Sequence, residues 1–257
     1  MAKKLLVISA HSADFCTRSG GTIIKFIQAG YEVKVVCLTY GEKGESAGFW
    51  MEHPGGDLEE CKRVRRQEVE AACAVLGVKE TEFLDWGDYP LILEGDRISE
   101  IGRIIREYQP TVVFTHSAHD EVNEDHAYAS VAVKRALTIA SAPGASLGLQ
   151  PRFPMPELFF FESSVPQTEF NGFVFDNLVD ITSVYEQKMK AVECFSKTQG
   201  HLVQLYTGLN ARRGQQASGF AQAKIQYAEA FERWKPYVGS ILPISGIEEA
   251  EHQRLDF

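Results

Sequence analysis

Short apolar runs alternate along this chain with segments in which apolar residues recur at helical spacing. Residues 5–8 form a continuous apolar run that breaks off into small residues, and residues 22–27 show the first helical spacing. Gly30 ends that helix, and residues 31–39 follow as a second apolar strand. A strand, a helix and a strand at these spacings predict a right-handed βαβ unit, so the sheet should be parallel here.

The same two patterns continue over most of the chain. Helical spacing predicts helices at residues 58–76, 98–108, 127–140 and 185–195. Runs rich in β-branched and aromatic residues predict strands at residues 81–85, 111–117, 158–162 and 174–181. Residues 47–60 contain a Pro and two adjacent glycines within a stretch that fits neither pattern, which predicts an irregular, mobile flap.

Strands alternating with helices predict an α/β fold, and we expect a Rossmann-like three-layer arrangement with a mostly parallel sheet. One domain over residues 1–257 is predicted, because no repeat or clear linker divides the chain. Residues from about 200 to 234 are helix-rich but interrupted by glycines, which predicts a peripheral C-terminal elaboration.

Charge and cysteine usage narrow the partners and the compartment. A net charge of −9 argues against nucleic acid or an anionic membrane as the main partner. A small anionic substrate remains compatible with this charge, because a metal ion or a cluster of arginines can make the electrostatic potential positive within one cleft. Five cysteines without a C-x-x-C pair predict reduced thiols. With no secretory-type cleavage site and no apolar run of ~18 residues, we expect a cytoplasmic protein, and amphipathic helices are compatible with a homo-oligomer.

Residues of the types that commonly bind metals follow three of the predicted strands. One set is His11 and Asp14, a second is Glu42 and Glu45, and the third is His116, His119, Asp120, Asp125 and His126. Loops at the carboxyl ends of parallel strands meet at one edge, where open α/β sheets bind ligands. Two histidines and an aspartate would hold zinc with one position open for water, which is the catalytic arrangement. The alternative is that each is an ordinary loop residue, with Asp14 capping a helix.

Five segments resemble the LmbE-like, or PIG-L, superfamily: A-H-S-A-D (10–14), T-Y-G-E-K-G-E-S (39–46), R-R-Q-E (65–68), N-E-D-H (123–126) and Y-A-E-A-F (227–231). The best-known members are zinc-dependent N-acetylglucosaminyl deacetylases, whose first motif reads A-H-P-D-D and whose later motif reads H-P-D-H. The resemblance implies that His11, Asp14 and His126 bind Zn²⁺ or another divalent metal.

Two departures from the deacetylase motifs bear on the reaction. The catalytic Asp of the deacetylases falls on Ala13, and the first His of the later motif falls on Asn123. An enzyme that loses its general base loses roughly 10²–10⁴-fold in rate. The sequence therefore predicts a retained metal site without the usual machinery for amide hydrolysis.

One branch of the superfamily combines these features, namely the 4-oxalomesaconate hydratases of gallate degradation. The chain is similar to them at residues 36–46, 84–91, 114–126 and 226–231, with Gln226 in place of a Lys. The similarity implies a hydro-lyase of aromatic compound catabolism that adds water to the conjugated double bond of an unsaturated oxo-carboxylic acid such as 4-oxalomesaconate.

Hydration of such a bond requires a base for water, and we predict Glu45 for this role rather than Glu42. Substrate carboxylates favour guanidinium partners, for which Arg66 and Arg213 are candidates, although either can equally be a plain ion pair. Asn123 and Tyr227 are predicted to contact the substrate as well. The hydratases have a His where this chain has Ser163-Ser164, so the proton donor is not identified by the resemblance. His119, His201 and Tyr227 are the candidates for this role.

Two other functions remain compatible with the sequence. A zinc-dependent N-deacetylase acting on an N-acetyl amino sugar conjugate would need a replacement base such as Glu45. A non-catalytic binding protein with a vestigial metal site would bind metal without turnover.

Overall fold

A seven-stranded sheet runs through the computed structural model, which describes residues 3–240. Its strands are β1 Lys4–Ser9, β2 Glu32–Cys37, β3 Glu80–Phe83, β4 Val112–His116, β5 Glu157–Phe161, β6 Asn177–Asp180 and β7 Ala228–Arg233. Across the sheet they lie in the order β3-β2-β1-β4-β5-β7-β6. The first five in this order are parallel, and β7 is antiparallel to both of its neighbours. The predicted mostly parallel sheet is confirmed.

Helices cover both faces of the sheet: α1 Asp14–Gln28, α2 Ala47–Glu52, α3 Leu58–Leu76, α4 Gly95–Tyr108, α5 Glu124–Ser141, α6 Tyr185–Glu193, α7 Ser196–Gln199 and α8 Leu202–Ala221. Successive residues of a strand point to opposite faces. Leu5 and Val7 accordingly pack with α1, α3 and α6, whereas Leu6 and Ile8 pack with α4 and α5. The fold is therefore the predicted three-layer α/β arrangement.

The first helix begins eight residues earlier than its apolar spacing predicts, at Asp14 rather than at Thr22. The Gly20-Gly21 pair therefore lies inside the helix and does not precede it. A Cβ added at Gly21 would lie 2.6 Å from Cγ2 of Ile181, so this glycine allows the segment before α6 to approach closely. As a consequence, Asp14 sits in the first turn of α1, at the carboxyl edge of the sheet.

The prediction of an irregular flap at residues 47–60 is wrong for most of its length. Residues 47–52 form α2, and α3 begins at Leu58. Phe49 is buried, and Trp50 donates a hydrogen bond from Nε1 to the carbonyl oxygen of Glu42 at 2.7 Å. These contacts anchor residues 47–52 to the rest of the protein. The sequence pattern does not reveal them, because most of residues 47–60 are polar or small and show no apolar periodicity.

Residues 202–233 are not a peripheral elaboration. Helix α8 continues through Gly208, Gly214 and Gly219, and β7 then enters the sheet between β5 and β6. A Cβ on Gly214 would lie 2.1 Å from the carbonyl oxygen of Gln226, so the glycine permits close packing of the chain leading into β7. The sequence Ala-Glu-Ala-Phe-Glu-Arg of β7 favours a helix by propensity, and tertiary pairing overrides it. A single domain over 1–257 stays a prediction.

Two other sequence features can be compared with the structure. Within residues 3–240, no helix combines the length and the apolar character needed to cross a bilayer. The five cysteines are free thiols, in agreement with their spacing.

Candidate metal centre

Four side chains from three loops and helix starts converge at the carboxyl edge of the sheet, and we call His11, Asp14, Glu45 and His126 the metal cluster. One ligand-type atom from each lies within 4.8 Å of those of the other three. Nδ1 of His11 is 3.2 Å from Nε2 of His126, 3.4 Å from Oδ2 of Asp14 and 3.3 Å from Oε1 of Glu45. The cluster contains the three predicted ligands and the predicted base, and it can bind a metal ion.

The loop between β1 and α1 is short and fixed by its own hydrogen bonds. Oδ2 of Asp14 accepts the backbone N–H of His11 at 2.8 Å, and the carbonyl oxygen of Ala10 accepts the N–H of Thr39 at 3.0 Å. His11 and Asp14 are therefore held on one turn. Because Thr39 lies just after β2, its bond to Ala10 brings the loop that carries Glu45 against them.

The loop after β2 depends on a glycine and an aspartate. Gly41 has a φ of +67°, and a Cβ there would lie 3.2 Å from the Cβ atoms of both His11 and Glu45. A side chain at position 41 would therefore disturb both the backbone and the metal cluster. Asp88 accepts the backbone N–H groups of Lys43 and Gly44 at 3.0 and 2.7 Å, which holds Glu45 at the centre.

Each histidine of the metal cluster is backed by a carboxylate on its other ring nitrogen. Nε2 of His11 lies 3.2 Å from Oδ2 of Asp125, and Nδ1 of His126 lies 2.9 Å from Oδ2 of Asp120. Such partners orient the ring of a metal-binding histidine and raise its basicity. Asp120 and Asp125 are ligand-type residues in the sequence pattern, and in the structure they are hydrogen-bond partners of His126 and His11 instead.

Ser164 takes part in the same arrangement. Its backbone N–H and its hydroxyl both donate to Oδ2 of Asp120 at 2.9 Å. The position at which the resemblance leads one to expect a proton-donating His therefore helps to hold the partner of His126. The neighbouring Ser163 is buried, and its hydroxyl has no hydrogen-bond partner among residues 3–240.

The carboxylates of the metal cluster favour the protonated form of its two imidazoles. Burial lowers the pKa of His11, but Glu45, Asp125 and Asp14 outweigh it and raise this pKa well above the ordinary value. Burial likewise lowers the pKa of His126, and Asp14 raises it overall. For Asp14 itself, burial raises the pKa, and the facing histidines hold it well below the usual range. A divalent cation can replace these protons, because the same carboxylates that favour them favour it.

Of the other histidines in the third set, His116 is closest to the metal cluster but has a structural role. Its Nε2 accepts the backbone N–H of Ala10 at 2.9 Å, and its ring stacks on His126 with centroids 4.1 Å apart. Burial and the neighbouring His126 lower its pKa to about 3, so it is neutral near pH 7. His119 and His201 are both exposed, and neither has a hydrogen bond, ion pair or ring contact with the metal cluster in the described part of the chain.

Two amide side chains hold the carboxylate of Glu45. Asn123 donates from Nδ2 to Oε1 at 3.1 Å, and Gln199 donates from Nε2 to Oε2 at 3.3 Å. Glu42 is buried elsewhere on the same loop, and one of its oxygens lacks a partner among residues 3–240. Sequence reasoning includes Asn123 but misses Gln199, which lies in α7, 154 residues away from Glu45.

The two arginines predicted for substrate carboxylates are already engaged. Arg66 is exposed and donates to the hydroxyl of Tyr40. Arg213 is buried and pairs through Nε with both carboxylate oxygens of Glu162, at 3.1 and 3.0 Å. Substrate binding by either residue stays a prediction, and these contacts do not favour it.

Tyr227 is likewise engaged away from the metal cluster. Its ring stacks on Tyr185 with centroids 3.5 Å apart, and its hydroxyl accepts a hydrogen bond from Gln226. Within residues 3–240 it has no hydrogen bond, ion pair or ring contact with the metal cluster. Its predicted role at the substrate stays a prediction.

Arg18 is a cation beside the metal cluster that sequence reasoning misses. Its Nε is 3.4 Å from Oδ1 of Asp14, and its Nη1 donates to the carbonyl oxygen of Glu162 at 2.5 Å. The residue is 7% exposed. Because α1 begins at Asp14, Arg18 lies one turn further on the same helix face. A correct helix start would therefore have revealed it.

Comparisons with known proteins add to this geometry. The family model described as PIG-L, GlcNAc-PI de-N-acetylase, matches residues 6–137. A 4-oxalmesaconate hydratase of Pseudomonas putida is 39% identical over 243 residues, which is 92% of this chain and 91% of the relative. A diacetylchitobiose deacetylase of Thermococcus kodakarensis is 31% identical over 198 residues, which is 74% of this chain and 68% of the relative.

Solved structures agree with these similarities. The crystal structure of the 4-carboxy-2-hydroxymuconate hydratase from Pseudomonas putida matches with a TM-score of 0.87 and 37% identity, over 94% of this chain and 100% of that one. The N,N'-diacetylchitobiose deacetylase from Pyrococcus horikoshii matches with a TM-score of 0.76 and 24% identity, over 90% of this chain and 84% of that one. The second similarity concerns the fold alone.

Proposed function

The chain belongs to the PIG-L family, and we propose that within this family it is a metal-dependent hydratase acting on an unsaturated oxo-carboxylic acid such as 4-oxalomesaconate. The observation that carries this proposal is the combination of a complete metal cluster with Ala13 at the position of the deacetylase base. Ala13 is buried and can neither accept nor donate a side-chain proton. Similarity to a hydratase over nine-tenths of the chain supports the same activity.

Zinc, or another divalent metal, is the proposed cofactor, with His11, Asp14 and His126 as its ligands. Two imidazole nitrogens and a carboxylate form a donor set typical of catalytic zinc. The carboxylates behind both histidines support this assignment, because metal-binding histidines are usually oriented in this way. When bound, the metal would supply a Lewis acid that stabilises negative charge on the carbonyl side of the substrate.

Glu45 is the proposed general base. Its carboxylate accepts one proton from water, and the water oxygen forms a bond to the β-carbon of the conjugated double bond. The electron pair of that double bond moves towards the carbonyl oxygen, and the α-carbon then takes up one proton, so only the elements of water are added. Glu45 is the least buried member of the metal cluster, which supports its access to water and substrate.

The proposed substrate is a small anion, and Arg18 is our candidate for the cation that meets one of its carboxylates. Nε and Nη1 of Arg18 have partners, whereas its Nη2 has no hydrogen bond to any residue between 3 and 240. A guanidinium nitrogen left available next to several carboxylates offsets the repulsion that an anionic substrate would meet.

A zinc-dependent deacetylase is the second candidate function. The observation in its favour is the 31% identity to the diacetylchitobiose deacetylase. In that case Glu45 would have to replace the base that Ala13 cannot provide. A binding protein without turnover remains the third hypothesis from the sequence.

The test is an assay of the zinc-loaded protein with 4-oxalomesaconate, followed by ultraviolet absorbance with and without a chelator. We expect a chelator-sensitive loss of the conjugated chromophore, and a loss of roughly 10²–10⁴-fold in rate for Glu45→Gln. Acetate release from N-acetyl amino sugars without any hydration would contradict the hydratase and support the deacetylase. Metal binding without either reaction would support the binding protein.

A further inference from the structure

Tyr89 is a half-exposed aromatic residue beside the metal cluster, and the proposed function gives it no role. Its ring stacks on the imidazole of His11, with centroids 5.7 Å apart and 17° between the ring planes. The residue is 46% exposed. Within the metal cluster the side chain of Glu45 is 15% exposed, whereas those of the other three members are at most 4% exposed. The cluster therefore meets solvent beside Glu45, and the ring of Tyr89 lies next to this opening.

The ring also lies against the backbone of Gly44, the residue before Glu45. A Cβ at position 44 would lie 2.1 Å from Cε2 and 2.2 Å from Cδ2 of Tyr89. Gly44 has no positive φ, so space for the ring, and not the backbone conformation, requires a glycine here. Tyr89 thus packs between a metal ligand and the loop of the proposed base.

The backbone of Tyr89 is held in a conformation that a bulky residue rarely adopts. Its φ is +42°, in the left-handed region, where the Cβ of a tyrosine is crowded. The carboxylate of Asp125 fixes this turn, since it accepts the N–H of Tyr89 at 3.1 Å and the N–H of Leu91 at 2.9 Å. The same carboxylate is the partner of His11. Strained backbone of this kind is concentrated at sites that bind ligands.

The hydroxyl of Tyr89 is available as a donor. It makes no hydrogen bond with any residue between 3 and 240, where the polar contact of Tyr89 is made by its backbone N–H. Burial, together with the nearby carboxylates of Glu45 and Asp125, raises the pKa of Tyr89 above its ordinary value, so the hydroxyl keeps its proton at neutral pH. A neutral O–H can donate to a carboxylate of an anionic ligand, and such hydrogen bonds are among the stronger ones.

We propose that Tyr89 is a substrate-binding residue: its ring forms one wall of the opening and packs against the flat conjugated part of the substrate, while its hydroxyl donates to a substrate carboxylate. The proposal rests on the proposed hydratase function. An aromatic ring suits a conjugated ligand because two flat faces share a large contact area. Gly44 is part of the same arrangement, since it leaves the space that the ring occupies.

The experiment compares Tyr89→Phe and Tyr89→Asn with the same two substitutions at Tyr237. Tyr237 is also 46% exposed and follows β7, whose end lies at the opposite edge of the sheet from the metal cluster. For Tyr89→Phe we expect KM to rise about fivefold, the worth of one hydrogen bond, with kcat changed less. The zinc content should stay that of the wild type, and the Tyr237 variants should behave as the wild type.

Tyr89→Asn removes the ring and introduces a residue that tolerates left-handed backbone. KM should therefore rise about 10–100-fold, because both the aromatic contact and the hydrogen bond are lost. The thermal midpoint should be unchanged or higher, since the strain at position 89 is relieved. A residue that only supports the fold would show the reverse, namely a lower midpoint with an unchanged KM.

Gly44→Ala tests the position of the ring. The added methyl group displaces a half-exposed side chain, so the protein should fold while KM rises as in Tyr89→Asn. In the double variant Gly44→Ala/Tyr89→Asn the space is free, and KM should rise little beyond that of Tyr89→Asn alone. Fully additive effects would show that Gly44 acts on Glu45 directly, which would overturn the placement of the ring.

A further measurement does not depend on turnover. Calorimetry on the zinc-loaded proteins gives the affinity for mesaconate, a flat unsaturated dicarboxylic acid. Tyr89→Phe should bind mesaconate about fivefold more weakly than the wild type, Tyr89→Asn should bind it more weakly still, and the Tyr237 variants should bind it equally well.

The outcomes separate this proposal from the proposed function. A wild-type KM in Tyr89→Phe would overturn the hydrogen bond, and a wild-type KM in Tyr89→Asn would overturn the contact altogether. Loss of zinc in Tyr89→Phe would also overturn the proposal, because the hydroxyl would then serve the metal. If the wild type shows no hydration, the proposed function fails and mesaconate decides on Tyr89. Equal affinities in the wild type and the Tyr89 variants, or no binding to any of them, would then overturn its role.

Discussion

Two buried groups of charged side chains lie along α1, and they differ in how their charges are balanced. Beside Gly21 and Thr22, Lys188 pairs with Glu229 at 2.8 Å, and Glu229 also accepts both backbone N–H groups at 2.9 and 2.7 Å. At the first residue of α1, Asp14 instead faces the other members of the metal cluster. Both groups are almost completely buried.

The difference lies in what the chain itself supplies. In the Lys188–Glu229 pair one cation meets one anion, and Nζ of Lys188 also donates to Oδ1 of Asn210 at 2.7 Å. In the metal cluster the carboxylates face imidazoles, and they raise the pKa of both rings. A balanced buried pair holds elements together, whereas a group that has more carboxylates than fixed cations, with only Arg18 beside its two carboxylates in the described part of the chain, is suited to bind a further cation. Burial alone does not distinguish the two.

The largest effect is expected from removing a ligand. His126→Ala should lower kcat by about three orders of magnitude or more, because a catalytic metal stabilises the transition state by several kcal/mol. The measurement is the rate together with the zinc content of the purified variant. Activity at the wild-type level in a zinc-free variant would contradict the role of the metal cluster.

Breaking the balanced pair should affect stability instead. Lys188→Met leaves Glu229 buried without its cation, so the free energy of unfolding should fall by about 3–5 kcal/mol. Urea unfolding measures this change, and the kcat of the folded fraction should be unaffected. Lys190→Met on the exposed side of α6 is the matched control. If Lys188→Met/Glu229→Gln is as unstable as Lys188→Met, the assigned pairing is wrong.

The pH dependence of metal binding follows from the raised pKa values of His11 and His126 in the metal-free protein. Metal binding must displace the protons that these rings hold below their raised pKa values, so affinity should fall as the pH falls. If metal binding displaces two protons, the metal affinity should change by up to about a hundredfold per pH unit. This dependence should disappear at pH values above the pKa values of both histidines. Competition with a chelator at a series of pH values measures it. An affinity that stays constant while the pH falls through both values would show that neither ring binds the metal.

The carboxylate behind His126 should have a smaller effect than a ligand. Burial raises the pKa of Asp120, but its hydrogen bond with His126 and the positive charges nearby hold this pKa at about 2, so it is ionised at neutral pH. Asp120→Asn should weaken metal affinity about 10–100-fold. Zinc titration checks this value, with Asp96→Asn on the exposed surface of α4 as control. Equal affinities in the two variants would remove Asp120 from the metal centre.

The smallest effect is expected at the substrate. Arg18→Gln should raise KM about tenfold, the worth of a hydrogen bond to a charged group, and should change kcat less. Arg63→Gln on the exposed side of α3 serves as control. The same kinetics with Arg66→Gln and Arg213→Gln test the predictions from the sequence. If KM rises in Arg66→Gln or Arg213→Gln and does not change in Arg18→Gln, the substrate carboxylate binds to that other arginine and not to Arg18.

Much of the fold could be predicted because its parallel strands carry their own signal. Most residues of strands β1, β2, β4 and β5 are buried, so their sequences are rich in apolar residues that a local pattern recognises. Strand β7 could not be predicted, since its alternating alanines and charged residues favour a helix until β5 and β6 pair with it. The predicted start of α1 lies too late in the chain for a similar reason. Glycines usually interrupt a helix, but Gly20 and Gly21 lie inside α1, where they allow close packing.

The sequence by itself determined the candidate ligands, because His11, Asp14 and His126 occupy short motifs at strand ends and helix starts, where local order dictates position. Tertiary structure alone decided which groups surround them. Gln199 reaches Glu45 only through the packing of α7 on α3, and Asp120 and Asp125 become partners of the ligands only when their loop folds over the sheet. Hydrogen bonds between residues far apart in the chain leave no periodic trace in the sequence, so only the folded arrangement reveals them.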